Sequence, residues 1–217
     1  MAFGYLQQNA SGYTQIDETY QNLSVIASGT GTTGTAVTFA TQAIPPVVAV
    51  GVVGSGQFMR MTGLTTTSFT ITSFNAGPTN FTFPYKVYAM ASTSVPSGQF
   101  GMRVFNSAGN RTFDSNLDYL GIRYVQKVAG TDMAVGPGLG LTVTHGLGGS
   151  PYMIMNGTTF PTRYVFSSGF LRAYMSVVSM TSSTVVDFSE RVYYGQNIGA
   201  LDSDNRLTAS CQLILGY

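Results

Sequence analysis

The side chains able to do acid–base, nucleophilic or metal chemistry are few and dispersed. His145, in TVTHGLGG, is the single histidine, and Cys211, in CQLILGY, is the single cysteine. One imidazole and one thiol do not make the three- or four-donor cage of a zinc site. A Ser-His-acid arrangement can be assembled from residues distant in sequence. No Gly-x-Ser-x-Gly elbow is present, however, to expose a nucleophile. His145 therefore reads as a structural or turn residue, and Cys211 as a small buried hydrophobe. Hydrolysis of a polysaccharide needs two converging carboxylates. Asp187 and Glu190 are close in sequence, but a pair three apart at a strand end has no reason to converge. Asp202, Asp204 and Asn205, in ALDSDNRL, resemble a fragment of a calcium loop. An EF-hand needs Gly at loop position 6 and Glu at position 12, where this chain has Leu207 and Leu213. The segment reads as a polar turn, with opportunistic ion binding as the alternative.

Glycine clusters occur at GTGTTG (29–34), GPGLG (136–140) and HGLGG (145–149). A phosphate cradle needs a strand before and a helix after. None of the three has that context, so all are expected to be loops. The expectation is a chain that is not an enzyme and has no cofactor and no metal. Candidate contact residues remain: Arg163, Tyr164, Arg191, Tyr193 and Tyr194 place aromatics beside arginine, a combination that anchors interfaces and stacks on sugar rings. Alternate side chains facing a core explain the same spacing.

The elements that must hold these residues follow from composition. The 217 residues are 44% hydrophobic, enough for a packed core, and rich in Thr, Val, Tyr, Phe and Gly. β-branched and aromatic residues suit pleated surfaces, and Gly suits the turns between strands. Only 9% are charged, against roughly 25% in an ordinary soluble domain. Residues 1–97 hold just four of the nineteen charges: Asp17, Glu18, Arg60 and Lys86. Charge is depleted in interface cores, so the expected chain has much of its surface covered by other subunits. A Ser/Thr/Asn-rich surface is the alternative. The net charge is +1, with Arg and Lys scattered. The basic patch that nucleic acid requires is missing. No apolar run reaches the roughly 18 residues of a membrane helix, and MAFGYLQQNASG does not read as a secretory signal. Cytoplasmic synthesis without membrane insertion is expected.

An internal repeat organises the chain. At an offset of 97, residues 3–26 and 100–123 share six identities: Phe3/Phe100, Gly4/Gly101, Asn9/Asn106, Gly12/Gly109, Asp17/Asp114 and Leu23/Leu120. Asn and Gly three apart between apolar stretches predict a hairpin. AVTF (36–39) then matches TVTH (142–145), and PPVVAVG (45–51) matches SPYMIMN (150–156). Phe69 to Thr72 and Phe81 to Phe83 alternate with strand period. DSNLDYLGIRYVQKV (114–128), the best helical candidate, is interrupted by Gly121 and reads as turn plus strand. The expected fold is all-β: two tandem β-sandwich-like modules related by the repeat, at 1–95 and 99–217, joined through STSVPSGQ (92–99).

The segment FGMRVFNSAGNRTFDS resembles a hairpin that opens small tail proteins of tailed bacteriophages. The matching residues are Gly101, Val104, Asn106, Gly109, Phe113, Asp114 and Ser115. The first copy matches at Gly4, Leu6, Asn9, Gly12, Ile16 and Asp17 but has Glu18 in place of Ser. VTFATQAIPPVVAVGVV (37–53) is similar to a strand pair of phage fibre domains and H-type lectin-like modules. The second copy departs there, with His145 for Phe. The resemblance implies a virion protein of the tail, tail tip or tail fibre, packed with other virion subunits as a homo-oligomer, a trimer by analogy. A receptor- or glycan-binding role at a fibre tip, against a host cell-surface receptor, and a head decoration role are the alternatives. A receptor site is expected in the longer second module, around 157–206.

Overall fold

The computed structural model describes residues 6–8, 10, 14–17, 22–73, 80–90, 100–128, 140–156, 162–167, 170–197 and 211–216. Among them all regular structure is β-strand. The first half supplies β1 (Leu6–Gln8), β2 (Thr14–Asp17), β3 (Leu23–Thr32), β4 (Ala36–Thr38), β5 (Val47–Val50), β6 (Met59–Leu64), β7 (Ser68–Ser73) and β8 (Thr82–Met90). The second half supplies β9 (Arg103–Phe105), β10 (Arg111–Asp114), β11 (Ile122–Val128), β12 (Gly140–Thr144) and β13 (Tyr152–Ile154). It continues with β14 (Thr162–Ser167), β15 (Phe170–Met180), β16 (Val185–Asn197) and β17 (Cys211–Gly216). β1–β2 and β9–β10 are separate hairpins. The other strands form two sheets, ordered β11-β17-β13-β5-β8-β3 and β12-β16-β15-β6-β7-β4, with β14 also on β15.

Side-chain period explains how the sheets stack. In β7, Phe69 and Ile71 are buried while Ser68, Thr70 and Thr72 are half-buried, the alternation of a strand with one face on a core. The inner faces of both sheets meet in one apolar cluster. Val48, Val50, Phe83, Val87, Met153 and Leu215 come from the first sheet. Met59, Phe69, Ile71, Val143, Val178, Met180, Val186 and Phe188 come from the second. β5 is buried on its other face as well, where Ala49 joins Tyr88 and Ile154. The segment 114–128 is a turn followed by β11, as its broken periodicity predicts.

GTGTTG departs from expectation, because Gly29 and Gly31 lie inside β3. A Cβ at Gly31 would come 2.7 Å from the ring of Phe83. Glycine there serves close packing of the core ring on the neighbouring strand, and only the end of the cluster, around Gly34 with its φ of +79°, makes the turn. HGLGG is a loop, and of GPGLG only Gly140, the first residue of β12, is described.

The two halves share sheets. Each sheet reads the same from either end: β3-β8-β5 meets β13-β17-β11 in one, and β4-β7-β6 meets β15-β16-β12 in the other. The halves join where Val50 pairs with Met153, Ala49 with Ile154, and Met59 with Val178. Asn156 stitches the seam, accepting from the Val48 amide at 2.6 Å and donating to the Pro46 carbonyl at 2.6 Å. A strand apolar on both faces belongs in the middle of a sheet. β5 and β13 each take that place by pairing with the other instead of ending separate sandwiches. The expected linker at 92–99 lies outside the described residues.

A shared core makes unfolding a single event. Calorimetry is expected to record one transition with equal calorimetric and van't Hoff enthalpies. Phe69→Ala, in the first half, should destabilise that whole transition by about 3–5 kcal/mol, including the signal of a probe placed on β16. Two separate transitions, one unmoved by the substitution, would contradict the shared core.

Candidate functional site

The Asn-x-x-Gly motif of the second copy falls on the β9–β10 hairpin, and its chemistry is that of a fastening. Asn106 turns the chain, its side-chain oxygen accepting from the amides of Ala108 at 3.1 Å and Asn110 at 2.8 Å. Gly109, at φ +79°, occupies the left-handed position that the turn needs. Asp114 is the hub. Its carboxylate is buried. Oδ2 accepts from Arg103 Nε at 3.0 Å and Arg111 Nη1 at 2.9 Å. Oδ1 accepts from the amide and the side chain of Asn116, both at 3.0 Å. The Asp114 amide donates to the Tyr119 hydroxyl at 2.6 Å, and the Tyr119 ring stacks on Phe113 at 5.2 Å.

Gly101 and Ser115 close the base. Ser115 bonds Met102 twice, through its Oγ to the amide and its own amide to the carbonyl. A Cβ at Gly101 would lie 2.5 Å from both Ser115 Oγ and Asn116 Nδ2. Burial pushes the Asp114 carboxyl upward, but the Asn116 and Arg103 hydrogen bonds outweigh it and hold the group below its ordinary range. A carboxylate with both oxygens engaged and its proton held off is a poor acid or base.

From this hairpin the chain runs on to β3. Asp118 O accepts from the Val25 amide at 2.8 Å, and Leu120 N donates to Leu23 O at 2.9 Å. Lys86, over the ring of Tyr152, bonds Asp118 at 2.8 Å. Between the hairpin tip and the first half lies a cleft of about 580 Å³. Leu23, Ile44, Pro45, Pro46, Val47 and Met90 give it apolar walls, and Arg111 and Thr112 border it on the hairpin side. Tyr88 also lines it; its hydroxyl is buried without a hydrogen-bond partner, and burial pushes its ionisation well above the ordinary tyrosine range.

His145 is buried, and neither ring nitrogen is hydrogen-bonded. Its ring lies 5.9 Å from that of Tyr124, and burial lowers its pKa. A base needs an orienting partner and access to substrate; His145 has a core environment. Asp187 Oδ1 accepts from Thr142 across the β12–β16 ladder at 2.7 Å, and Glu190 pairs by backbone with Ser176. Among the described residues no three His, Cys, Asp or Glu side chains converge.

The five contact candidates all fall on the β14–β15–β16 ladder. Arg163 pairs with Tyr174 and Tyr164 with Ala173; Arg191 pairs with Met175 and Tyr194 with Ala173 from the other side. Tyr193 falls at the register shift between Ala173 and Tyr174. Asp202 and Asp204 lie outside the described residues. The cleft was not legible in advance, because its walls come from segments that no local pattern joins. The Pro45–Pro46 pair beside exposed Ile44 is the one local signal that marks it.

Two outcomes follow. Asp114→Ala leaves Arg111 buried beside a lost charge, which should cost about 3–5 kcal/mol, read as faster exchange of the Asp114 and Ser115 amides. A depressed carboxyl stabilises fully above its unfolded pKa, so in the native chain this protection should fade as pH falls through the lower, folded value. His145 behaves differently: the unfolded chain takes up its proton more readily, so stability should fall as pH drops below about 6.5. His145→Leu should raise the melting temperature at pH 5 more than at pH 8, and an equal change at both would refute the assignment.

No family model, curated protein or solved structure matches the chain.

Proposed function

We propose that this chain is a structural component of a bacteriophage virion, a tail, tail-tip or tail-fibre subunit that packs against other virion subunits. The observation that carries the reading is apolar surface left open on a sheet edge. Ile122 and Val125 on β11 are both more than half exposed. β11 is the outer strand of its sheet, and among the described residues no further strand continues the sheet there. Folded chains blunt such edges with charge, proline or cover; β11 carries Arg123 and Lys127, and Ile122 and Val125 remain exposed beside them. The bacteriophage placement rests on the resemblance of the β9–β10 hairpin. The state of the titratable groups agrees: Asp114 is engaged on both oxygens and His145 is enclosed, so both serve the fold.

A receptor- or glycan-contact role at a fibre tip is the second reading. It is favoured by the grouping of Arg163, Tyr164, Arg191, Tyr193 and Tyr194 within neighbouring rows of β14, β15 and β16.

Purified particles labelled with antibody against the chain should carry gold on the tail, and particles made without it should have incomplete tails. Normal, infectious particles that never contain the chain would end the proposal. Inhibition of adsorption by the isolated protein, lost on Tyr164→Ala with Tyr194→Ala, would select the receptor reading.

A further inference from the structure

Five large apolar side chains are exposed on the β9–β10 hairpin or at the cleft beside it. Ile44 and Met90 line the cleft. Phe105 sits directly across the hairpin ladder from Arg111, which also lines it. Phe100 and Met102 lie at the base of the same hairpin. A void of about 580 Å³ is within the ordinary range for a recognition pocket, roughly 300–1,000 Å³.

The chemistry of the walls restricts the occupant. Arg111 is bound by the Asp114 carboxylate. The Asn106 oxygen is taken up by its own turn, and Thr112 Oγ1 donates to the Val104 carbonyl at 3.2 Å. Gln42 donates to the Ala40 carbonyl at 2.7 Å. Most polar groups of the wall are thus committed; the buried Tyr88 hydroxyl is an exception, and Arg111 shares the single Asp114 carboxylate with Arg103. Leu23, Ile44, Pro45, Pro46, Val47 and Met90 nevertheless make most of its lining apolar. The cleft suits an uncharged apolar knob.

The chain itself carries such a knob. Phe100 is fully exposed, 101% of its reference area, so it fills no cleft of its own molecule. The backbone that follows it is held: Met102 is bonded to Ser115 through both backbone groups, and Gly101 lies tight against Ser115 and Asn116. A segment whose backbone is already held loses less conformational freedom on docking. Knob and cleft border one hairpin, so the apolar surface is shared by both parts of the contact. We propose that the cleft receives a second copy of this chain, with the Phe100–Met102 segment of one molecule seated against Ile44, Pro45, Pro46 and Met90 of the next. This rests on the assembly reading above and names the partner. A knob and a hole at different places on one surface make either a reciprocal pair or a head-to-tail series.

The test is sedimentation equilibrium of the full chain over a wide concentration range, with Phe100→Ser and Ile44→Arg as variants. Both positions are exposed, so thermal melting should be unchanged. Each variant alone should self-associate about tenfold or more weakly than the native chain. A one-to-one mixture keeps one intact knob and one intact cleft, and should associate more tightly than either variant by itself. A native chain that stays monomeric, variants that associate as the native chain does, or a mixture no tighter than its components would each overturn the proposal. A monomer that still enters the tail would overturn this contact and leave the virion role standing. A self-associating chain absent from every particle would do the reverse.

Discussion

The pairing of β5 with β13 is the interaction on which the rest of the molecule depends. Val48 and Val50 face the core between the sheets, while Ala49 packs on the opposite side with Tyr88 and Ile154. β5 is only four residues long and β13 three. Neither could stand at a sheet edge without putting both apolar faces partly into water. Laid side by side, each covers the other's edge. From that seam β8 and β3 extend the sheet one way, and β17 and β11 the other. The second sheet follows the same plan across β6 and β15.

The consequence for function is an unusual distribution of polar chemistry. The few charges near the described core are spent on holding segments in place. Asp114 ties the hairpin together, and Lys86 ties β8 to the chain beyond it through Asp118, an exposed pair worth at most about 1 kcal/mol. What faces outward is apolar at several places: β11, the cleft rim and the hairpin base. Such a surface is costly for a free molecule and useful for one that spends its life against neighbours.

Much of the local structure was legible in the residues. Period-two stretches such as Phe69 to Thr72 became strands, and Gly121 broke the one helical pattern as expected. The Asn106, Gly109, Asp114 and Ser115 spacing marked a hairpin whose bonds account for each of those residues. The relation between the halves was not legible. The repeat expected at an offset of 97 does not say whether the halves stand in tandem or join their sheets, because the choice is made by pairing between Val50 and Met153, which lie 103 positions apart. Gly31 misled for a related reason: its meaning lies in the Phe83 ring across the ladder, which no local window contains. The cleft was invisible because it is made of spaces between segments.

The seam can be tested by cysteine cross-linking in a chain whose one native thiol, Cys211, is replaced by serine. Cysteines at Ala49 and Ile154 are directly opposite in the β5–β13 ladder, at a Cβ separation of about 4.5–5.5 Å, close enough for a disulfide after small adjustment. Mild oxidation of dilute, folded protein is expected to give a monomer with an intramolecular disulfide in high yield. Free thiols that persist until the protein is unfolded, or cross-links found only between molecules, would contradict the shared sheets.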